Sequence, residues 1–187
     1  MLFNGKKKKI KKNLSRPESL RNFRSDFYLS PFHQWIVSTD RLKSRLDEFF
    51  NLLDQETLEY FNGQRGLVFL KANGQLSCTL TYPEDHHLVL LFPKLIQYLL
   101  GENPRYGFAI LAHELGHIKY QHQQRAINTL QAQLEADRFA FQIGLGAELV
   151  AVLEDYEQYE ECQIRIEELE RFLGGARGIK QKVLTLQ

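Results

Sequence analysis

The chain has 187 residues and 21.9 kDa, with 43% apolar and 25% charged residues, a balance that excludes both a wholly disordered chain and a membrane-spanning one. No apolar run reaches the ~20 residues that a bilayer crossing needs; the longest, Leu88 to Leu100, is interrupted by Pro93, Lys94 and Gln97. The net charge of +1 conceals an asymmetry: residues 1–24 carry nine Lys/Arg against one acidic residue, and the remainder carries 15 against 22.

Residues 1–24 read as a basic flexible tail, and 25–187 as one domain. Lys6 to Lys9, Lys11 and Lys12 repel one another and bury no apolar face. A nucleic-acid partner for residues 6–12 is conceivable through phosphate contacts, but no aromatic residue interleaves the lysines. No apolar signal-peptide core follows them, which sets the expectation of a reducing, cytoplasmic setting. Cys78 and Cys162 fit neither a disulfide framework nor a metal spacing.

Thr39 to Phe61 has the helical period, with Leu42, Leu46, Phe49, Phe50 and Leu53 at spacings of three and four. Two alternating runs follow, Leu67–Lys71 and Gln75–Tyr82, separated by Ala72-Asn73-Gly74, a strong hairpin signal. A third strand, His87–Phe92, ends at Pro93. These three predict a small antiparallel sheet. Leu95–Leu100 predicts a short helix. Asn103 and Pro104 open a longer one through about Gln123. Asn128 or Thr129 opens the next, through Phe141. Ala147–Phe172 predicts a long charged helix with one apolar stripe, ended by Gly174-Gly175. The expected fold class is α+β.

Chemistry concentrates in His113-Glu114-Leu115-Gly116-His117. Two histidines at i and i+4 share one helix face and can reach one metal ion. Glu114 follows the first and can reach a water on that ion, so it is the candidate general base. The apolar flanks Ile110, Leu111, Ala112 and Ile118 predict a buried helix, in which bare imidazoles need partners.

This stretch resembles the zincin metalloproteases, and within them the gluzincins. Leu134-Glu135-Ala136-Asp137-Arg138-Phe139-Ala140 is similar to the second motif of the HtpX-like and CAAX-prenyl-protease-like family, and to that of the IrrE/ImmA-like peptidases. His122, five residues past His117, also occurs in the HtpX-like group. The resemblance covers roughly residues 86–145, without the membrane helices of the integral members. It implies a zinc-dependent peptidase acting on a peptide or protein, with His113 and His117 as ligands, a third ligand from the following helix, and His87–Phe92 as the edge that pairs with extended substrate.

One departure matters. Those families place the ligand glutamate four residues before the aspartate, where this chain has Gln133. The third ligand is therefore open between Glu135, the favoured choice, Asp137 and the Gln133 carbonyl. If Glu135 binds the ion, Asp137 loses the family role of orienting a histidine. If Gln133 faces it, a catalytically degenerate regulatory or binding protein becomes the alternative, possible as a nucleic-acid-associated one. A purely structural zinc site is the third choice, and a general base beside the ligands argues against it.

No histidine follows His122, so Tyr156, Tyr159 and Arg138 are the candidates to stabilise an oxyanion. Both tyrosines read as core on the stripe of the last helix. His86 and His87 point to opposite faces of a strand. His33 shows no partner, and the acidic neighbours of Cys162 argue against a reactive thiol.

Overall fold

The structure is a computed structural model; it describes residues 14–62, 66–72 and 86–184, with side chains to residue 174. The chain is α+β: mostly helical, with a two-stranded sheet among the described residues. In chain order come α1 (Arg16–Leu29), a 3-10 turn (Pro31–His33), α2 (Gln34–Val37), α3 (Asp40–Phe50), α4 (Gln55–Phe61) and β1 (Gly66–Lys71). Then follow β2 (His86–Leu91), α5 (Pro93–Leu100), α6 (Arg105–Lys119), a 3-10 turn (His122–Gln124), α7 (Thr129–Gln142), α8 (Gly146–Glu154) and α9 (Glu160–Leu184). Among the described residues no helix is long and apolar enough to cross a membrane.

The flexible-tail reading fails for the second half of residues 1–24. Leu20, Phe23 and Phe27 recur at helical spacing and are buried on α1. The Phe23 and Phe27 rings each sit edge-on to Phe50 at 5.0 Å, and Phe27 meets Phe69 of β1 at 5.2 Å. Arg16 and Arg24 of this stretch are also engaged. Arg16 Nη2 donates to the carbonyls of Asn51 (2.6 Å) and Leu53 (2.9 Å), and Arg24 pairs with Asp47 at 3.0 Å. The lysine cluster at 6–12, and with it the nucleic-acid expectation, lies outside the described residues.

The helix expected over Thr39–Phe61 is two helices, α3 and α4. Asp54 caps the second, its Oδ1 accepting from Thr57 N–H at 2.7 Å. The sheet differs in direction. β1 and β2 bond directly and run parallel, Gly66 opposite His86 and Lys71 opposite Leu91. The antiparallel expectation rested on the Asn-Gly turn and on the strand Gln75–Tyr82, both outside the described residues apart from Ala72. Residues 72–85 are a long enough connection for a parallel return. The continuous apolar run of β1, buried from Leu67 to Phe69, is that of a parallel strand covered on both faces, while β2 alternates buried and half-buried residues.

The long helix expected over Ala147–Phe172 is also two, α8 and α9, and α9 runs past Gly174-Gly175 to Leu184. Tyr156 and Tyr159 fall in the break between them and are 43% and 59% exposed, so neither is core. His86 and His87 do part company: His87 stacks on Tyr60 (5.6 Å) and His86 approaches Phe32 edge-on.

Candidate functional site

Helices α6 and α7 pack against one another, and they carry His113, Glu114, His117, Gln133, Glu135 and Asp137. Asn103 Oδ1 accepts from Arg105 N–H (3.2 Å) at the start of α6, and Asn128 Oδ1 accepts from Gln131 N–H (2.7 Å) at the start of α7. The helices meet at Gly116. A Cβ there would lie 2.8 Å from the Cα of Ala136, so only glycine lets the backbones approach this closely. That approach sets His113 beside Asp137.

Asp137 is buried and accepts twice over. His113 Nδ1 donates to Oδ1 at 2.7 Å. Arg165, from α9, donates to Oδ2 through Nε (2.7 Å) and to Oδ1 through Nη2 (2.8 Å). Burial pushes the Asp137 carboxyl up, but the hydrogen bonds from His113 and Arg165 outweigh it and hold the group below its ordinary value. Asp137 is therefore a base that orients His113, and it is not positioned as the third ligand.

Glu135 is not in the ligand position either. Its carboxylate takes Arg125 Nη1 at 2.6 Å, Gln131 Nε2 at 3.2 Å and His122 Nε2 at 3.1 Å. The bond from Arg125, chiefly, and that from His122 bring its carboxyl down to about 2. The His122 ring stands between Glu135 and His117, whose Nδ1 lies 2.7 Å from His122 Nδ1. The physical reason is phase: two residues from Asp137 is about 200° round a helix, which turns Glu135 away from the histidine face.

These contacts decide the tautomers. Both carboxylates are ionised and can only accept. His113 Nδ1 and His122 Nε2 therefore carry the protons. His117 Nδ1 lies within hydrogen-bond distance of His122 Nδ1, so one proton serves both nitrogens. Nε2 of His113 is thus a lone pair, and it faces His117 Nε2 at 3.0 Å. Such a pair can share a proton or hold a metal ion. A proton is disfavoured: burial first, then the neighbouring imidazoles of His113 and His122, push His117 down to about 4. Imidazole nitrogens in this arrangement suit a divalent transition metal.

Gln133, one turn before Asp137, lies against His117. Its Oε1 is buried without a hydrogen-bond partner. Among the described residues no group of three or more His, Cys, Asp or Glu side chains is arranged to hold an ion. Two imidazole nitrogens and a buried amide oxygen are nevertheless donor types that a divalent transition ion accepts.

A cleft of about 650 Å³ opens beside this pair, lined by both His113 and Glu114. Leu88 and Leu90 of β2 form one wall, Ile110 of α6 and Val152 of α8 others, and Tyr156 and Arg165 reach it from the far side. Of the three oxyanion candidates only Tyr156 borders the cleft. Tyr159 does not line it, and the Arg138 guanidinium lies over the Phe172 ring at 5.1 Å.

Sequence reasoning missed Arg165. It is one charged residue among many on α9, and only its burial in the folded chain distinguishes it. It also missed His33, whose ring is fully buried between Phe27 O and Phe69 N–H. Comparison of the chain with protein-family models, with curated proteins and with solved structures gave no match.

Proposed function

We propose that the protein is a zinc-dependent peptidase, with His113 and His117 holding the ion through Nε2 and Glu114 as general base. The single observation that carries this reading is the pair of imidazole Nε2 atoms facing one another at 3.0 Å, with Glu114 in the adjoining cleft. When bound, zinc polarises the scissile carbonyl and acidifies the attacking water.

The chain's own residues supply the rest. Glu114 takes the water's proton and returns it to the leaving amine. Asp137 fixes the tautomer of His113, and Arg165 keeps Asp137 ionised. The apolar wall of Leu88, Leu90 and Ile110 receives apolar side chains of an extended peptide laid along β2. The cytoplasmic setting belongs to the same proposal.

Glu114→Gln tests it. The variant keeps the shape of the side chain, removes its charge and cannot take the proton. It should bind zinc as the wild type does, unfold at the same temperature, and lose at least about 100-fold in peptide turnover. Turnover within a few-fold of wild type would reject Glu114 as the base.

A second reading has one observation in its favour. Gln133 stands where the resembled families carry a ligand glutamate, and a neutral amide is a poorer zinc donor than a carboxylate. On that reading the cleft binds an apolar peptide without cutting it. Peptide binding unaffected by Glu114→Gln, with no product from either form, would select it.

A further inference from the structure

We propose that the amide oxygen of Gln133 is the third protein donor to the ion between His113 and His117, which gives a donor set with no negative charge and a readily exchanged metal. This rests on the metal-site reading above. Three observations carry it.

The first is position. Asp137 orients His113 from α7, and Gln133 lies one turn earlier on the same helix, on the same face. The second is vacancy of bonding. Gln133 Oε1 is buried and has no hydrogen-bond partner, a state that costs on the order of 1–3 kcal/mol unless something else satisfies the oxygen. A cation beside His117 does so. The third is exclusion. Both carboxylates of α7 are already committed, Asp137 to His113 and Arg165, and Glu135 to Arg125 and His122.

The charges then sum in a particular way. Arg165 offsets Asp137, and Arg125 offsets Glu135. The three donors are neutral. A divalent ion here meets no first-contact anion, and the one uncommitted carboxylate in the adjoining cleft is the general base Glu114. Affinity depends strongly on ligand charge. The site therefore loads and empties with the free metal concentration, where a site with a ligand glutamate would stay filled. Metal availability becomes the control on activity.

The test is zinc affinity of the full chain, stripped with a chelator and titrated against a chromogenic zinc competitor. Wild type is compared with His113→Ala, Gln133→Ala, Gln133→Glu and Glu135→Ala, each checked for fold by circular dichroism. The proposal expects Gln133→Glu to tighten zinc binding about tenfold or more, Gln133→Ala to weaken it by about as much, and Glu135→Ala to leave it unchanged. Binding that is abolished by His113→Ala yet indifferent to both Gln133 variants overturns the proposal and leaves the metal site standing. Loss of binding in a folded Glu135→Ala does the same. Wild-type binding absent, or indifferent to His113→Ala, overturns the metal site itself and the proposal with it.

Discussion

Arg165 on α9 and Asp137 on α7 form a two-point ion pair of which both members are buried, and through it the last helix of the chain is joined to the histidine that faces the cleft. A buried pair of this kind does not by itself prove a large gain in stability, because both ions leave water to make it. Breaking it is another matter. Arg165→Met leaves Asp137 as an uncompensated buried charge and should cost about 3–5 kcal/mol in urea denaturation. Adding Asp137→Asn to that variant should recover part of the loss, since no bare charge remains. A loss under about 1 kcal/mol for Arg165→Met would mean that water reaches Asp137.

Gly116 lies inside the His113–His117 turn, where α6 crosses α7. Gly116→Ala brings two opposed effects. Alanine favours the helix by about 1 kcal/mol over glycine. Its methyl, however, meets the Ala136 backbone at 2.8 Å and 3.0 Å, and backbone cannot rotate aside. Overpacking of this kind costs about 1–3 kcal/mol, so a net loss is expected. Ala136 adjoins Asp137, so the same displacement lengthens the His113–Asp137 bond. Zinc affinity should fall together with stability. A stabilised variant with unchanged affinity would show that α6 and α7 separate at no cost.

Leu90 gives a test of the cleft. Along β2, Val89 and Leu91 are buried, while Leu88 and Leu90 are half-buried and face the cleft. Burying a leucine against substrate is worth about 1.5–3 kcal/mol. Leu90→Lys should therefore raise KM for apolar peptides about tenfold or more, with kcat nearly unchanged, the mark of lost uniform binding. A fall in kcat at constant KM would place substrate elsewhere.

What could be read from the sequence was what local spacing determines. His113, Glu114 and His117 share a turn, and any helix through them produces the same juxtaposition. The helix starts at Asn103 and Asn128 are likewise local. The choice among Glu135, Asp137 and Gln133 was not local, although one part of it was arithmetic: a turn of four residues joins Gln133 to Asp137, and two residues cannot place Glu135 on that face. What the spacing alone did not reveal was that Arg125 and His122 would take up Glu135.

The remaining differences share a cause. The charge of residues 16–24 masked the stripe of Leu20, Phe23 and Phe27, because charge is counted by segment and burial is decided by face. The direction of β1 against β2 depends on which apolar strands meet, and a turn signal between them reports only the chain's local reversal. Arg165 gains its meaning from a residue 28 positions earlier in the chain. Apart from the stripe of α1, none of these is a periodicity, and only the packed chain exhibits them.

His33 gives the prediction in pH. The ring is fully buried and stacks on Phe27 at 3.7 Å. Its Nδ1–H donates to Phe27 O, and its Nε2 accepts from Phe69 N–H at 2.9 Å. It thus joins α1 to β1, and the bond from Phe69 N–H requires the neutral ring. A proton on Nε2 would face the Phe69 N–H. Burial accordingly pushes its pKa below 6.5. The unfolded chain therefore binds the proton more readily than the folded one. The stability that this ring contributes is complete above about pH 6.5 and is lost as pH falls below it, by up to about 1.4 kcal/mol per pH unit for one proton. His33→Phe keeps the ring and discards both bonds, and should destabilise the protein at pH 8 by about 1–3 kcal/mol. The gap between wild type and variant should then narrow as pH drops from 6.5 to 5, because only the wild type has this group left to protonate. His117 titrates in both forms and cancels from the difference. A gap that stays constant across that range would mean that His33 accepts a proton in place, and that the Phe69 N–H moves to allow it.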